Sequence, residues 1–188
     1  SDKLFISANN IKGKRDISFS VVRYGNVFGS RGSVVPLFVQ QMGNDYFTIT
    51  DKNMTRFNIS LDAGVKMVDW VINNAAGAEI FVPKIPSYNI LDLANAFKNK
   101  PKFKYIGMRP GEKLHEEMIS KSDSINTYDI GNYYFILPNE YTNKNKKFLK
   151  KFKAKKVNFG FSYNSLENPN YLTVRDLKVM VKKFLKNE

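Results

Sequence analysis

The chain has 188 residues, 43% hydrophobic and 14% aromatic, enough to bury one sizeable core. With no cysteine it can hold neither disulfides nor thiolate metal sites nor a cysteine nucleophile, which is compatible with a reducing, cytoplasmic setting. The net charge of +13 points towards a polyanion until it is located: residues 1–139 carry 17 Lys/Arg against 13 Asp/Glu, and residues 140–188 carry 13 against 4.

Residues 2–11 read as the end of a helix closed by Lys12-Gly13-Lys14. A strand rich in β-branched and apolar residues follows at 19–22, then an apolar helix at 34–42 and two short extended pieces at 47–49 and 56–59. Ser60 caps an amphipathic helix in which Leu61, Val65, Val68 and Ile72, with Met67 and Trp70 beside them, are expected in the core. Residues 79–82 read as a strand, 89–97 as a helix presenting Ile90, Leu93, Ala94 and Phe97, and 103–106 as a strand ending in the Arg109-Pro110-Gly111 turn. A short helix is expected over 114–119 and a strand over 133–137. Thr173-x-x-Asp176 has the form of a capping box for a last helix whose inward residues are Val174, Leu177, Val181, Phe184 and Leu185. This alternation places the chain in the α/β class.

Eight lysines and two phenylalanines crowd residues 144–156. Such a run suits a phosphate-tracking patch or a membrane surface, but no arginine and no RNA-type aromatic motif accompanies it, so a solvated linker or helix face is favoured and no nucleic acid partner is expected. It is the one plausible boundary, dividing a body at 1–139 from a basic linker and C-terminal helix at 140–188. No apolar run approaches the roughly 18 residues of a membrane span, so none is expected.

Two segments carry chemistry. Arg23-Tyr24-Gly25-Asn26-Val27-Phe28-Gly29-Ser30-Arg31-Gly32-Ser33-Val34-Val35-Pro36 ends a strand in a glycine-loosened turn, the place where open α/β sheets bind ligands. Met108-Arg109-Pro110-Gly111-Glu112-Lys113-Leu114-His115-Glu116-Glu117 sets an arginine at a second strand end. A guanidinium there can clamp a diphosphate with paired, charge-assisted bonds, although spacing alone favours reading Arg56 and Arg109 as surface or structural ion pairs. Asn26 offers both donor and acceptors, or merely ties down its own loop. His115, the single histidine, has no triad pattern around it, and no metal site is implied.

Together with Ile49-Thr50-Asp51-Lys52-Asn53-Met54-Thr55-Arg56-Phe57, Ser1-Asp2-Lys3-Leu4-Phe5, Ala8-Asn9-Asn10, residues 79–87 and Met118-Ile119-Ser120-Lys121, these segments closely resemble the inverting UDP-N-acetylglucosamine 4,6-dehydratases. Those are extended short-chain dehydrogenase/reductases that open the pseudaminic acid pathway. The likeness runs from Ser1 to about Pro138 and weakly again over 163–177. It implies the C-terminal half of a Rossmann-like fold with its smaller substrate-binding lobe. The Gly-rich dinucleotide fingerprint and the catalytic Tyr-x-x-x-Lys of that family are expected before Ser1, so no catalytic residue is expected here and NADP is expected to be held mostly by that preceding part.

By the same resemblance Asn26, Val34, Thr48, Arg56, Arg109 and Glu112 are expected to contact UDP-N-acetylglucosamine, with Val27 and Arg31 nearer the cofactor. The intact enzyme would oxidise the sugar at C4, eliminate water across C5 and C6, and return the hydride to C6 with inversion at C5, as a homo-oligomer. A retaining dehydratase or a nucleotide-sugar epimerase would share the arginines and Asn26. A non-catalytic binding module with a basic tail is the remaining alternative.

Overall fold

The computed structural model describes residues 2–138 and 143–186. In chain order the elements are α1 (Asp2–Ile11), β1 (Val21–Val22), β2 (Asn26–Val27), α2 (Val34–Gln40), β3 (Tyr46–Ile49), β4 (Thr55–Ile59), α3 (Leu61–Asn74), β5 (Ile80–Pro83), β6 (Ser87–Asn89) and α4 (Ile90–Phe97). Then come β7 (Lys102–Tyr105), β8 (Glu117–Ile119), a 3-10 turn (Asp123–Asn126), β9 (Thr127–Asp129), β10 (Tyr133–Ile136), α5 (Asn143–Lys151), β11 (Lys155–Lys156), β12 (Tyr163–Asn164) and α6 (Val174–Lys186). They form two compact units that interleave along the chain: residues 1–24, 62–84 and 118–163 make the first, and 25–61, 85–117 and 164–188 the second. The division expected at 139/140 is not where these units part.

The first unit is built on the sheet β1-β5-β10-β9-β11, in which β1 and β5 run parallel and the remaining pairs antiparallel. Every position of β5 is buried, as the unbroken apolar run Ile80-Phe81-Val82 requires of a strand covered on both faces. Met67 and Val71 of α3 pack with Phe81, Phe135, Leu137 and Phe148, while Trp70 stacks on Tyr133 at 4.7 Å. Trp70 is partly buried and packs against the core. The stripe Leu61, Val65, Val68 and Ile72 does not: these residues face outward, with Ile72 74% exposed. α3 carries apolar residues on two faces, and the sheet takes the one bearing Met67 and Val71.

The lysine-rich segment is a helix over Asn143–Lys151. Phe148 stacks on Phe135 with ring centroids 4.4 Å apart, while the lysines stay in solvent. Helical spacing puts Asn145 and Phe148 on one side, so the segment is a helix face and not a linker.

Arg23, at the end of β1, holds three elements together. Its Nε donates to Asp2 (2.7 Å), and its Nη1 to Asp123 Oδ2 (2.9 Å) and the Met118 carbonyl (2.9 Å). Burial raises the Asp123 carboxyl, but the bonds from Arg23 and from Ser120 N outweigh this and hold it below its ordinary value of 3.8. A carboxyl lowered in the folded state contributes stability above its unfolded value and loses it as pH falls through the folded value. The melting temperature is therefore expected to drop as pH descends below about 4, and Asp123→Asn to flatten that dependence in a pH series of thermal melts.

The second unit has a three-stranded sheet, β2-β4-β6, with β2 parallel and β6 antiparallel to β4, and a parallel pair, β3 with β7. Phe38, Phe47, Ile49, Leu93, Leu177 and Val181 fill its core, Phe38 stacking on Phe47 at 4.8 Å. Asn89 caps α4 by accepting from Leu91 N (2.8 Å). At α6 the expected capping box is formed, with Thr173 N donating to Asp176 Oδ2 (2.9 Å) and Asp176 N to Thr173 Oγ1 (3.3 Å).

The short helix expected over 114–119 is absent, and Glu117–Ile119 form strand β8 instead. Backbone groups just ahead of it go to distant partners: Leu114 O accepts from Thr55 N (3.1 Å), and Glu116 O from Ser165 N (2.8 Å). Those long-range bonds take the place of the local ones that a helix over 114–119 would make.

Candidate functional site

The second unit contains a cavity of about 400 Å³. Asn26 and Val27 of β2 lie in register with Asn58 and Ile59 of β4, so the chain leaves β2 beside the strand that carries Arg56. It then turns through Gly29 and Gly32, both with positive φ (+77° and +75°), and enters α2 at Val34. At Gly29 a side chain would also collide with the Phe184 ring of α6, so only glycine fits.

Arg56 is the best-held charge in the cavity. Its side chain is 11% exposed. Nη1 donates to the carbonyls of Thr55 (2.8 Å) and Leu114 (3.1 Å), and the guanidinium sits 3.7 Å from Glu112 and 3.6 Å from Glu116. Tyr88, opposite Arg56 in the β4–β6 register, also lines the cavity. Burial pushes its phenol up to about 12, against the opposing pull of the Arg56 charge, so it stays protonated.

Arg109 enters from the turn after β7. Pro110 and Gly111, the latter at φ +79°, suit the two central positions of a type II turn, which Glu112 N closes onto Arg109 O at 3.0 Å. The Glu112 carboxylate accepts back from Arg109 N (3.2 Å) and from Thr50 Oγ1 (3.4 Å). Its oxygens thus shape the turn and face Arg56. The Arg109 side chain is exposed, and among the described residues nothing engages its guanidinium or the amide of Asn26.

Seven of the eight residues singled out from sequence, Asn26, Val27, Val34, Thr48, Arg56, Arg109 and Glu112, line this one cavity. Thr48 is placed by its N–H bond to Gln41 Oε1 (2.8 Å). Arg31 is exposed in the turn and does not line the cavity. Sequence reading missed Tyr88, Ser33, Met54 and Ile90 as lining residues. The signal for Tyr88 lies only in strand register, although Met54 falls inside a matching segment. Ser33 Oγ is buried without a partner among the described residues.

His115 is part of a hydroxyl cluster: its Nδ1 lies 2.8 Å from Thr55 Oγ1, which lies 2.7 Å from Ser165 Oγ. Among the described residues no group of His, Asp or Glu is arranged to hold a metal ion, and no helix is long and apolar enough to cross a membrane. The arrangement suits an anionic ligand with polar groups: one fixed guanidinium, one free guanidinium and one free amide converge on a half-apolar cleft.

The chain is similar to known proteins over most of its length. The inverting UDP-N-acetylglucosamine 4,6-dehydratase of Campylobacter jejuni subsp. jejuni serotype O:2 is 49% identical over 183 residues, covering 94% of this chain and 55% of its own length. A UDP-glucose 4-epimerase of Rickettsia bellii (strain OSU 85-389) is 41% identical over 140 residues, covering 72% of this chain and 41% of its own. Among solved structures, Pen from Bacillus thuringiensis superposes with a TM-score of 0.81 at 30% identity, covering 97% of this chain and 54% of that one. The chain therefore spans about half the length of the relatives it matches, and the expected α/β class stands. It belongs to the polysaccharide biosynthesis protein family, which it matches over residues 1–138.

Proposed function

We propose that this chain supplies the nucleotide-sugar-binding wall of an inverting UDP-N-acetylglucosamine 4,6-dehydratase. The observation that carries this is the convergence of Asn26, Thr48, Arg56 and Arg109 on one cavity, joined to the 49% identity with a dehydratase of that name. Arg56, rigid and nearly buried, would meet the diphosphate as a preformed donor. Arg109, free at its turn, would close on it, and Asn26 would orient phosphate or sugar with its amide.

We further infer that the whole protein uses NADP, acts in pseudaminic acid synthesis in the cytoplasm and works as a homo-oligomer. The residues present do not make a dinucleotide cradle: Val27 lines the sugar-nucleotide cavity, Arg31 stands outside it, and no G-x-G-x-x-G follows any strand. This chain's residues would thus bind and orient substrate, and the redox chemistry would be supplied with the cofactor by the rest of the protein.

Calorimetric titration of the chain with UDP, UMP and uridine tests the clamp. UDP is expected to bind at least about tenfold more tightly than UMP, the gain from one added charge-assisted contact; equal affinities would sink the reading. For the full-length protein, NMR of the product decides the reaction. An L-arabino 4-keto-6-deoxy sugar is expected, a D-xylo product would indicate the retaining class, and a C4 epimer with its 6-hydroxyl intact would remove the protein from the dehydratases.

A further inference from the structure

The family match ends at residue 138, yet Ser165 is fully buried against the strand that carries Arg56. It ties two segments together. Its N–H donates to Glu116 O (2.8 Å), its Oγ accepts from Glu116 N (2.9 Å), and the same Oγ lies 2.7 Å from Thr55 Oγ1.

The protons in this cluster can be placed. Glu116 N–H can only donate, so Ser165 Oγ receives it. Tyr171 Oη gives its own proton to Ser165 O (2.5 Å). The Ser165 hydroxyl proton then points to Thr55 Oγ1, and the Thr55 proton to His115 Nδ1 (2.8 Å). In this direction the Glu116 N–H and the Tyr171, Ser165 and Thr55 hydroxyls each have an acceptor. Reversing the whole chain would leave the buried Ser165 hydroxyl without an acceptor, whereas an Nδ1–H and the Ser165 hydroxyl both donating to Thr55, with Thr55 turned to the Tyr171 hydroxyl, is the arrangement that a protonated Nδ1 would reveal.

We propose that Ser165 and Thr55 are positioning residues for Arg56, acting through a hydroxyl chain that holds His115 in its Nε2–H tautomer. Resting on the reading that Arg56 meets the nucleotide phosphates, the inference makes the segment after residue 163 a working part of phosphate recognition. The mechanical link is short. Leu114 O accepts from both Thr55 N and Arg56 Nη1, and His115 and Glu116 follow it directly in the chain. Fixing His115 and Glu116 from Thr55 and Ser165 therefore fixes the carbonyl that aims the guanidinium.

Two measurements test this, and the first does not depend on the function. Because His115 is the single histidine, nitrogen-15 NMR at alkaline pH reads its tautomer without ambiguity. Wild type is expected to show a bare, hydrogen-bonded Nδ1, and Thr55→Val to show a mixture of tautomers. A protonated Nδ1 in wild type, or an unchanged spectrum in Thr55→Val, overturns the chain.

The second is UDP affinity, measured below the melting temperature of every variant. Thr55→Val and Ser165→Ala are expected to lose about tenfold, and Thr55→Ser to stay within about twofold of wild type, because it keeps the hydroxyl. His115→Asn, whose Oδ1 can accept in place of Nδ1, should bind UDP as wild type does and His115→Leu should not; this pair serves if the Thr55 or Ser165 variants fail to fold. Wild-type affinity in Thr55→Val or His115→Leu overturns the positioning role while leaving the phosphate clamp intact. Failure of wild type to bind UDP removes the clamp and the positioning role together, whatever the NMR shows.

Discussion

Arg56→Ala is expected to weaken UDP binding by about 2 to 4 kcal/mol, the largest loss from any single side chain of the cavity. Two effects add. The fixed, charge-assisted donor disappears, and Glu112 and Glu116, now 3.7 and 3.6 Å from the guanidinium, are left facing the phosphates without a counter-charge. Arg56→Lys should recover only part, since an ammonium cannot hold the carbonyls of Thr55 and Leu114 while presenting a second edge to the ligand. Arg109→Ala should cost less, about 1 to 2 kcal/mol, because that side chain starts exposed and must be ordered by the ligand. Lys150, exposed on α5, serves as the control. If Lys150→Ala and Arg56→Ala weaken binding equally in calorimetry, the cavity is acting through diffuse positive charge and not as a site.

Glu79→Gln is expected to destabilise the first unit by about 2 to 4 kcal/mol. Glu79 is fully buried. Its Oε1 accepts from Ala76 N (2.8 Å) and Asn145 Nδ2 (2.9 Å), and its Oε2 from Gly77 N (2.7 Å) and Ser20 Oγ (2.7 Å). Each oxygen meets a backbone N–H, so a glutamine amide turns its NH2 group against a donor in either orientation. Glu79→Ala should cost at least as much by leaving those donors unsatisfied in the interior. Denaturant midpoints measure the effect, and a change under about 0.5 kcal/mol for Glu79→Gln would show that these donors find other partners.

The candidate site was legible to the extent that chemistry was local. Pro110 and Gly111 announce a turn that displays Arg109, and Gly29 and Gly32 announce the loop after Val27; both sit where expected. Arg56 and Arg109 could not be separated from ordinary surface ion pairs by spacing. What distinguishes Arg56 is its burial and the carbonyls it holds, which arise from a strand and a turn 58 residues apart.

Helix and strand periods, turn residues and capping signals are properties of a few neighbouring residues, and they determined most of the element order, the capping box at Thr173 and the turns around the cavity. The tertiary structure decided what depends on distant partners. It chose Met67 and Val71 over the equally periodic Leu61, Val65, Val68 and Ile72, because a helix apolar on two faces contains no instruction about which one a sheet will cover. It turned 117–119 into a strand by drawing the preceding backbone groups to Thr55 and Ser165. It also set Tyr88 beside Arg56 and Ser165 beside Thr55, 110 residues away. Local pattern reports which groups seek burial or a hydrogen bond; only the closed fold determines which distant groups satisfy them.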